Sequence, residues 1–109
     1  TETQGYLLFS QLIIPRPIAS VLSDNGASPF ADRWNLAPFS FFNTISNAPP
    51  LVMISIGDGM AGREKDTHRN LRERPECVVA LASSSQAAAV QASTAELAPD
   101  AKLGEVFRP

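Results

Sequence analysis

The chain has 109 residues, a length that fits one domain and argues against two. Hydrophobic residues make up 44% of it and charged residues only 18%, a balance that excludes a disordered chain and can supply a core. Eleven acidic and nine basic residues give a net charge of −2, too close to neutral for a nucleic-acid binder held by phosphate contacts.

Nine prolines divide the chain into short segments. Proline lacks a backbone N–H and fixes φ, so it is excluded from helix interiors and from central strands. The segments between prolines are too short for long helices but long enough for strands of about 5–6 residues. The prolines are Pro15, Pro17, Pro29, Pro38, Pro49, Pro50, Pro75, Pro99 and Pro109.

The first third of the chain predicts a helical turn followed by a β-hairpin. Residues 5–14 are apolar without clean alternation, which indicates a short helical turn running into an extended segment. Residues 18–22 form the first predicted strand, and the Asp-Asn-Gly sequence at 24–26 is a strong turn signal. Residues 34–37 are the natural returning strand, which Pro38 is expected to end.

Two further strands are predicted after this hairpin. Residues 39–47 are rich in Ser and Asn and indicate a loop or an irregular edge. Residues 51–56 are a nearly continuous apolar run, typical of a strand buried on both faces, and residues 77–82 repeat that pattern. Four strands predict a partial barrel or a half-open sheet, since a closed barrel or sandwich usually needs more.

Two helices complete the predicted elements. Residues 65–74 form the better one, with Asp66 or Thr67 as its N-cap and a stop at Pro75. Residues 86–91 are rich in alanine and predict a short helix. No further strand is visible after residue 92.

Side chains that could carry out acid–base or metal chemistry are few. His68 is the chain's one histidine and is expected to be solvated on the helix, whereas Cys77 is expected to be a small core residue. A Cys–His nucleophile pair is therefore not expected, and no set of residues has the spacing of a metal site. Because no glycine-rich phosphate loop occurs either, redox or group-transfer chemistry would require a bound cofactor.

Composition also bears on where the protein works. A lone cysteine cannot form an internal disulfide, so a reducing, cytoplasmic compartment is expected. No apolar run approaches the ~18 residues that cross a bilayer. We therefore expect no membrane partner.

Two segments have the composition of a ligand site. At the start of the predicted helix, backbone N–H groups, the helix dipole and the charge of Lys65 would converge where an anion could lie, although a solvated helix start explains the same residues. Residues 35–43 interleave three Phe with Ser and Asn, which suits a heteroaromatic ligand, although such clusters are more often core.

These segments together resemble a known family. The Pro-Arg-Pro-Ile-Ala sequence at 15–19 is followed by Asn-Leu-Ala-Pro-Phe-Ser-Phe-Phe-Asn at 35–43, by Ser46 with two prolines at 49–50, and by Lys-Asp-Thr at 65–67 with Asn70. In this order they are similar to the flavin reductase-like family of FMN-binding split β-barrels, over roughly residues 6 to 97. The resemblance implies a mainly β fold with short helices, an antiparallel Greek-key split β-barrel that dimerises with FMN at the interface.

The resemblance also implies which residues bind the cofactor. Lys65 and Thr67 would hold the phosphate, with Arg16 a weaker candidate, and Asp66 would serve as helix cap because a carboxylate repels phosphate. FMN would accept a hydride from NAD(P)H without a protein acid or base. The flavin itself would lie against Ala37, Pro38, Ser40, Phe41, Phe42 and Asn43.

The resemblance leaves three functions open. The chain would be an NAD(P)H-dependent FMN oxidoreductase acting as a homodimer, with a monooxygenase as one possible electron acceptor. Alternatively, it is an FMN-binding electron carrier without nicotinamide turnover, or a non-binding dimerisation remnant. Family members are about twice as long, so residues 1–109 are expected to form one incomplete domain. The loop at 23–33 is longer than usual, with an insertion at 28–30, and residues 102–109 match nothing in the family.

Overall fold

A computed structural model describes residues 1–27, 32–59 and 62–94 of the chain. The sequence expectations for the insertion at 28–30 and for residues 102–109 lie outside these residues. In chain order, the elements are α1 (Glu2–Leu12), β1 (Ala19–Asp24), β2 (Trp34–Phe39), β3 (Phe42–Asn47), β4 (Pro50–Ile54), α2 (Asp66–Glu73), β5 (Cys77–Ala80), a 3₁₀ turn (Ser84–Gln86) and α3 (Ala87–Ala92).

The strands form two antiparallel sheets. One has three strands in the order β2-β1-β5, and the other is the β3-β4 hairpin. The described residues do not close these sheets into a barrel, so the predicted mainly β, antiparallel and incomplete architecture is confirmed. None of the described helices combines the length and apolar character needed to cross a bilayer.

A small core lies on one face of β1. Ala19, Val21 and Ser23 alternate with less buried neighbours because successive side chains of a strand point to opposite faces. Phe39 at the end of β2 completes the buried apolar cluster. Partly buried side chains pack against this cluster, namely Ala37, Phe42, Ile54, Ile56 and Val79.

The structure confirms the hairpin of β1 and β2 and extends its second strand. Gly26 adopts φ +82° and its N–H donates to Asp24 Oδ1 at 2.7 Å, which closes the predicted turn. The expectation that Pro38 ends the strand is wrong, since β2 continues to Phe39. Proline is tolerated there because β2 is an edge strand among the described strands of its sheet, where it pairs with β1.

Two other secondary-structure predictions are corrected. Residues 42–47, predicted as a loop or irregular edge, form β3 because they pair with β4. The short turn predicted within 5–14 is an eleven-residue helix, which begins earlier because Thr1 and Gln4 form a capping box. The short C-terminal helix is confirmed as α3 after its 3₁₀ turn.

The predicted burial of β4 and β5 is wrong for the described residues. Leu51, Val52 and Met53 are about half exposed, and so is Val78. Cys77, expected in the core, is exposed as well. Both strands form, but the described elements do not cover their apolar faces. The other large apolar side chains left exposed are Tyr6, Leu7, Leu8, Phe9, Leu12, Ile13, Ile14, Ile18, Trp34, Ile45 and Leu81.

Candidate functional site

The phenylalanine-rich segment 37–43 joins the two sheets. Its first three residues, Ala37, Pro38 and Phe39, end β2; Ser40 and Phe41 form the connection, and Phe42 and Asn43 begin β3. Most of these residues are half-buried, whereas Asn43 is exposed and its Oδ1 accepts a hydrogen bond from the N–H of Thr44 at 2.8 Å. The structure therefore presents residues 37–43 as one ordered bend between the sheets.

Phe41 connects this segment to α1. Its ring stacks on Tyr6 with centroids 5.6 Å apart and planes inclined by 24°. The guanidinium carbon of Arg16 lies 5.5 Å from the centroid of the same ring. Ser55 N–H donates to the Phe41 carbonyl at 2.9 Å, which fixes the backbone of the bend against the residue after β4. Phe41 is thus held from three directions.

Arg16, the weaker phosphate candidate, is bonded to the end of α1. Its Nη1 donates to the carbonyls of Ser10 at 2.7 Å and Ile13 at 2.6 Å. A cation there satisfies terminal carbonyls and complements the helix dipole. Its Nε is buried without a hydrogen-bond partner among the described residues. Arg16 therefore already has a structural role, and one donor atom remains unused.

Lys65, at the start of α2, lies close to the bend. It is half-buried, and its Nζ lies 5.7 Å from the centroid of the Phe39 ring. Lys65 is also the N-cap residue, and no side chain accepts a hydrogen bond in the capping position. The prediction that Asp66 or Thr67 caps the helix is wrong, because both residues lie within its first turn. A positive charge and an uncapped helix start thus lie beside residues 37–43.

Asp66 and His68 flank this helix start on the exposed side. The Asp66 carboxylate accepts from Arg69 Nη1 at 3.0 Å, an ion pair that offsets its negative charge. His68 is 53% exposed, which confirms the expected solvated position, and its Nδ1 lies 3.4 Å from the Glu64 carboxylate. Within the described residues, no three His, Cys, Asp or Glu side chains gather as a metal site would require.

Thr67 points inward rather than toward the solvent. It is 1% exposed, and its Oγ1 accepts a hydrogen bond from Asn35 Nδ2 at 3.0 Å. The bond joins the first turn of α2 to β2, and so links two of the segments on which the family resemblance depends. Its backbone N–H belongs to the uncapped first turn, where intrahelical acceptors are missing.

Asn70 is a site residue to which the sequence assigned no role. It is fully buried, and its Nδ2 donates to Ser23 Oγ at 3.1 Å and to Asn25 Oδ1 at 2.8 Å. A signal for it was present, because Leu71 is the one apolar residue of α2. A helix with so little apolar surface has to pack through polar side chains if it packs at all.

Comparison with known proteins identifies the class. The chain belongs to the flavin reductase like domain family, whose sequence model matches residues 10–106. This confirms the resemblance seen in the motifs. The matched residues include the whole candidate site, from Arg16 and the bend at 37–43 to the start of α2.

Individual proteins similar to the chain include two of solved structure and one known from its sequence. The crystal structure of nitrilotriacetate monooxygenase component B from Bacillus cereus is 38% identical, with a TM-score of 0.79 over 97% of this chain and 50% of that one. The 2-nitrobenzoate 2-nitroreductase NbaA of Pseudomonas fluorescens is 29% identical, with a TM-score of 0.76 over 98% of this chain and 48% of that one. The uncharacterized protein YwrF of Bacillus subtilis is 43% identical over 97 residues, 87% of this chain and 44% of that protein. The chain thus spans about half the length of the relatives that it matches.

Proposed function

We propose that the protein is an FMN-binding oxidoreductase of the flavin reductase type, which transfers a hydride from NAD(P)H to flavin. Support comes from the family and from two structural relatives, one named as a monooxygenase component and the other as a nitroreductase. The observation that carries the proposal is the approach of Lys65, at the uncapped start of α2, to Phe39 at the bend.

The residues present suit the phosphate of FMN. Lys65 supplies a positive charge, and the backbone N–H groups of the first turn of α2, including that of Thr67, lack a capping side chain. The ion pair between Asp66 and Arg69 reduces the repulsion that a nearby carboxylate would exert on an anion. The unused Nε of Arg16 fits a secondary contact.

The bend suits the flavin ring. The half-buried side chains of Ala37, Pro38, Phe41 and Phe42 offer an apolar surface for a planar heteroaromatic group. Ser40 contributes a hydroxyl, and Asn43 contributes an amide whose Nδ2 is left available by the local bond of its Oδ1. When bound, FMN would supply the hydride chemistry, and these residues would orient it and exclude water from one side.

We also propose that a second copy of the protein completes the site. The exposed apolar side chains of α1 and of the β3-β4 hairpin form a surface that monomeric soluble proteins rarely leave uncovered. Residues 1–109 would form part of one flavin reductase-like domain.

A monooxygenase is the proposed electron acceptor, by similarity to the named component B. The exposed free thiol of Cys77 fits a reducing compartment, and we place the protein in the cytoplasm.

Flavin binding and turnover can be measured separately. The purified full-length protein is titrated with FMN while the flavin absorption band is followed, and NADH and NADPH oxidation is then recorded with the loaded protein. Saturable binding with nicotinamide oxidation is expected. Binding without oxidation would indicate an electron carrier instead, and no binding at all would leave only a role in dimerisation.

A further inference from the structure

Helix α2 is attached to its sheet by polar side chains. Its two buried residues are Thr67 and Asn70, which share one helix face because they are three positions apart. Opposite them on the sheet are Asn35 of β2 and the buried Ser23 of β1. A helix normally packs on a sheet through an apolar stripe, so this arrangement requires its own explanation.

The polar side chains form a layer between helix and sheet, made of two hydrogen-bonded groups. Ser23 and Asn35 are register partners on neighbouring strands, so their side chains point to the same face. Thr67 is bonded to Asn35, and Asn70 is bonded to Ser23 and also to Asn25 in the turn after β1. We call these five residues the polar layer.

Every member of the polar layer is held by at least one side-chain hydrogen bond. Asn70 donates both amide hydrogens, at 3.1 Å and 2.8 Å, and its Oδ1 accepts from Arg69 Nη2 at 3.3 Å. Asn25 is fixed in turn, because its Nδ2 donates to the Asp32 carbonyl at 2.9 Å. Hydrogen bonds are directional, and a buried amide that loses its partners costs free energy. The helix therefore cannot slide or rotate as it could on an apolar surface.

The polar layer controls where the helix start points. Thr67 lies two residues after Lys65, and the bond from Asn35, near the start of β2, holds that turn against the strand. Asn70, one turn further along, prevents rotation about that single attachment. Together they fix the direction in which Lys65 and the uncapped N–H groups face, next to Phe39.

We propose that Asn70 and Asn35 are positioning residues that give the site its preference for a phosphorylated flavin over a flavin without phosphate. This inference rests on the proposed function, since it concerns the same site. Neither amide need touch the cofactor. Each acts through the helix, by holding Lys65 and the first turn of α2 in the position where both can bind the phosphate.

The test compares FMN with riboflavin, which lacks the phosphate. Dissociation constants for both are measured by flavin fluorescence with the full-length protein and its Asn70→Ala and Asn35→Ala variants, neither of which changes the charge. We expect each variant to lose at least about tenfold in FMN affinity while riboflavin affinity changes less than about twofold, since only the phosphate contacts depend on the helix direction.

Leu71→Ala is the matched control. Leu71 is a half-buried residue of the same helix outside the polar layer, so its truncation destabilises α2 without cutting a hydrogen bond. Its ratio of FMN to riboflavin affinity should stay at the wild-type value. A fall of that ratio in Leu71→Ala equal to the fall in Asn70→Ala would overturn the inference, because a general loosening of the helix would then explain both.

The remaining outcomes separate this inference from the proposed function. If the wild-type protein binds FMN more tightly than riboflavin but Asn70→Ala and Asn35→Ala weaken both ligands equally or neither, only the positioning role is refuted. If wild-type protein binds both flavins equally well, the phosphate contact and the positioning role fail while flavin binding stands. If it binds neither, the proposed function fails as well. Should Asn70→Ala not fold, Asn35→Ala, which removes a single bond, decides the matter.

Discussion

The hydrogen bond between Asn35 and Thr67 offers a quantitative test of how α2 is attached. Thr67→Val removes the hydroxyl at nearly constant volume and leaves Asn35 Nδ2 without its acceptor at 3.0 Å. Thr67 is buried but Asn35 is only half-buried, so water can partly replace the lost bond. We therefore expect a loss of about 1–2 kcal/mol in the free energy of unfolding, within the range for a broken bond with one partner left unpaired.

A double-mutant cycle isolates that bond from other effects of the substitutions. Asn35→Ala alone should cost a similar amount, but the double variant should cost about 1 kcal/mol less than the sum, because the bond can be lost only once. Free energies of unfolding come from urea denaturation of the full-length protein without cofactor. Thr67→Ser, which keeps the hydroxyl and loses one methyl worth about 0.8 kcal/mol, should preserve the coupling to Asn35. Additivity within about 0.5 kcal/mol would refute the bond as an anchor of the helix.

Three further predictions concern other features of the structure. Lys65→Ala should weaken FMN binding by about 1.5–3 kcal/mol, the range for a hydrogen bond to a charged group, whereas Lys65→Arg should keep most of the affinity. Unchanged binding of Lys65→Ala in a fluorescence titration would contradict the phosphate role. Gly26→Ala should lower the free energy of unfolding by about 1–2 kcal/mol, since φ is +82° and the new Cβ would meet Arg74 Nη1 at 3.3 Å. Gly26→Asn should cost less in the same urea experiment because Asn tolerates positive φ, and equal losses would refute a backbone cause. The hydrogen bond from the Gly26 N–H, together with Arg33, lowers the pKa of Asp24 below its ordinary 3.8. Asp24 therefore stabilises the fold above pH 3.8, and this contribution is lost as pH falls through the lowered pKa. Asp24→Asn should show a shallower fall of Tm on acidification than the wild type, and an unchanged slope would exclude the effect.

The elements that the sequence predicted correctly are those determined by local chemistry. The Asp-Asn-Gly turn specified the hairpin of β1 and β2, and Pro75 followed the end of α2 as expected. β3 was missed because its Asn and Ser residues have low strand propensity, and it forms through pairing with β4. An apolar run likewise predicts a strand but not what covers it, which is why the burial of β4 and β5 was wrong.

The candidate site was predictable as a set of residues but not as an arrangement. The motifs named Lys65 and the bend at 37–43, yet nothing in their spacing says that Nζ lies over the ring of Phe39. The resemblance implied Arg16 as a weaker phosphate candidate, whereas in the structure its guanidinium donates to carbonyls at the end of α1. Side-chain hydrogen bonds between distant segments are set by tertiary packing, which the sequence does not reveal directly.

The exposed apolar surface adjoins one end of the candidate site. Buried apolar side chains are confined to Ala19, Val21 and Phe39 in the part of the chain that the structure describes. Many of the uncovered apolar residues lie on α1 and on the β3-β4 hairpin. Helix α1 also carries Tyr6, which stacks on Phe41, and β3 carries Asn43, the last residue of the bend. Burial of such residues contributes about 1.5–3 kcal/mol each, so whatever covers α1 and the hairpin stabilises the fold and borders residues 37–43 at the same time. The polar layer, by contrast, is formed within the described residues. Under the proposed function, the phosphate end of the site would therefore be determined locally, whereas the ring end would be shared with the covering surface.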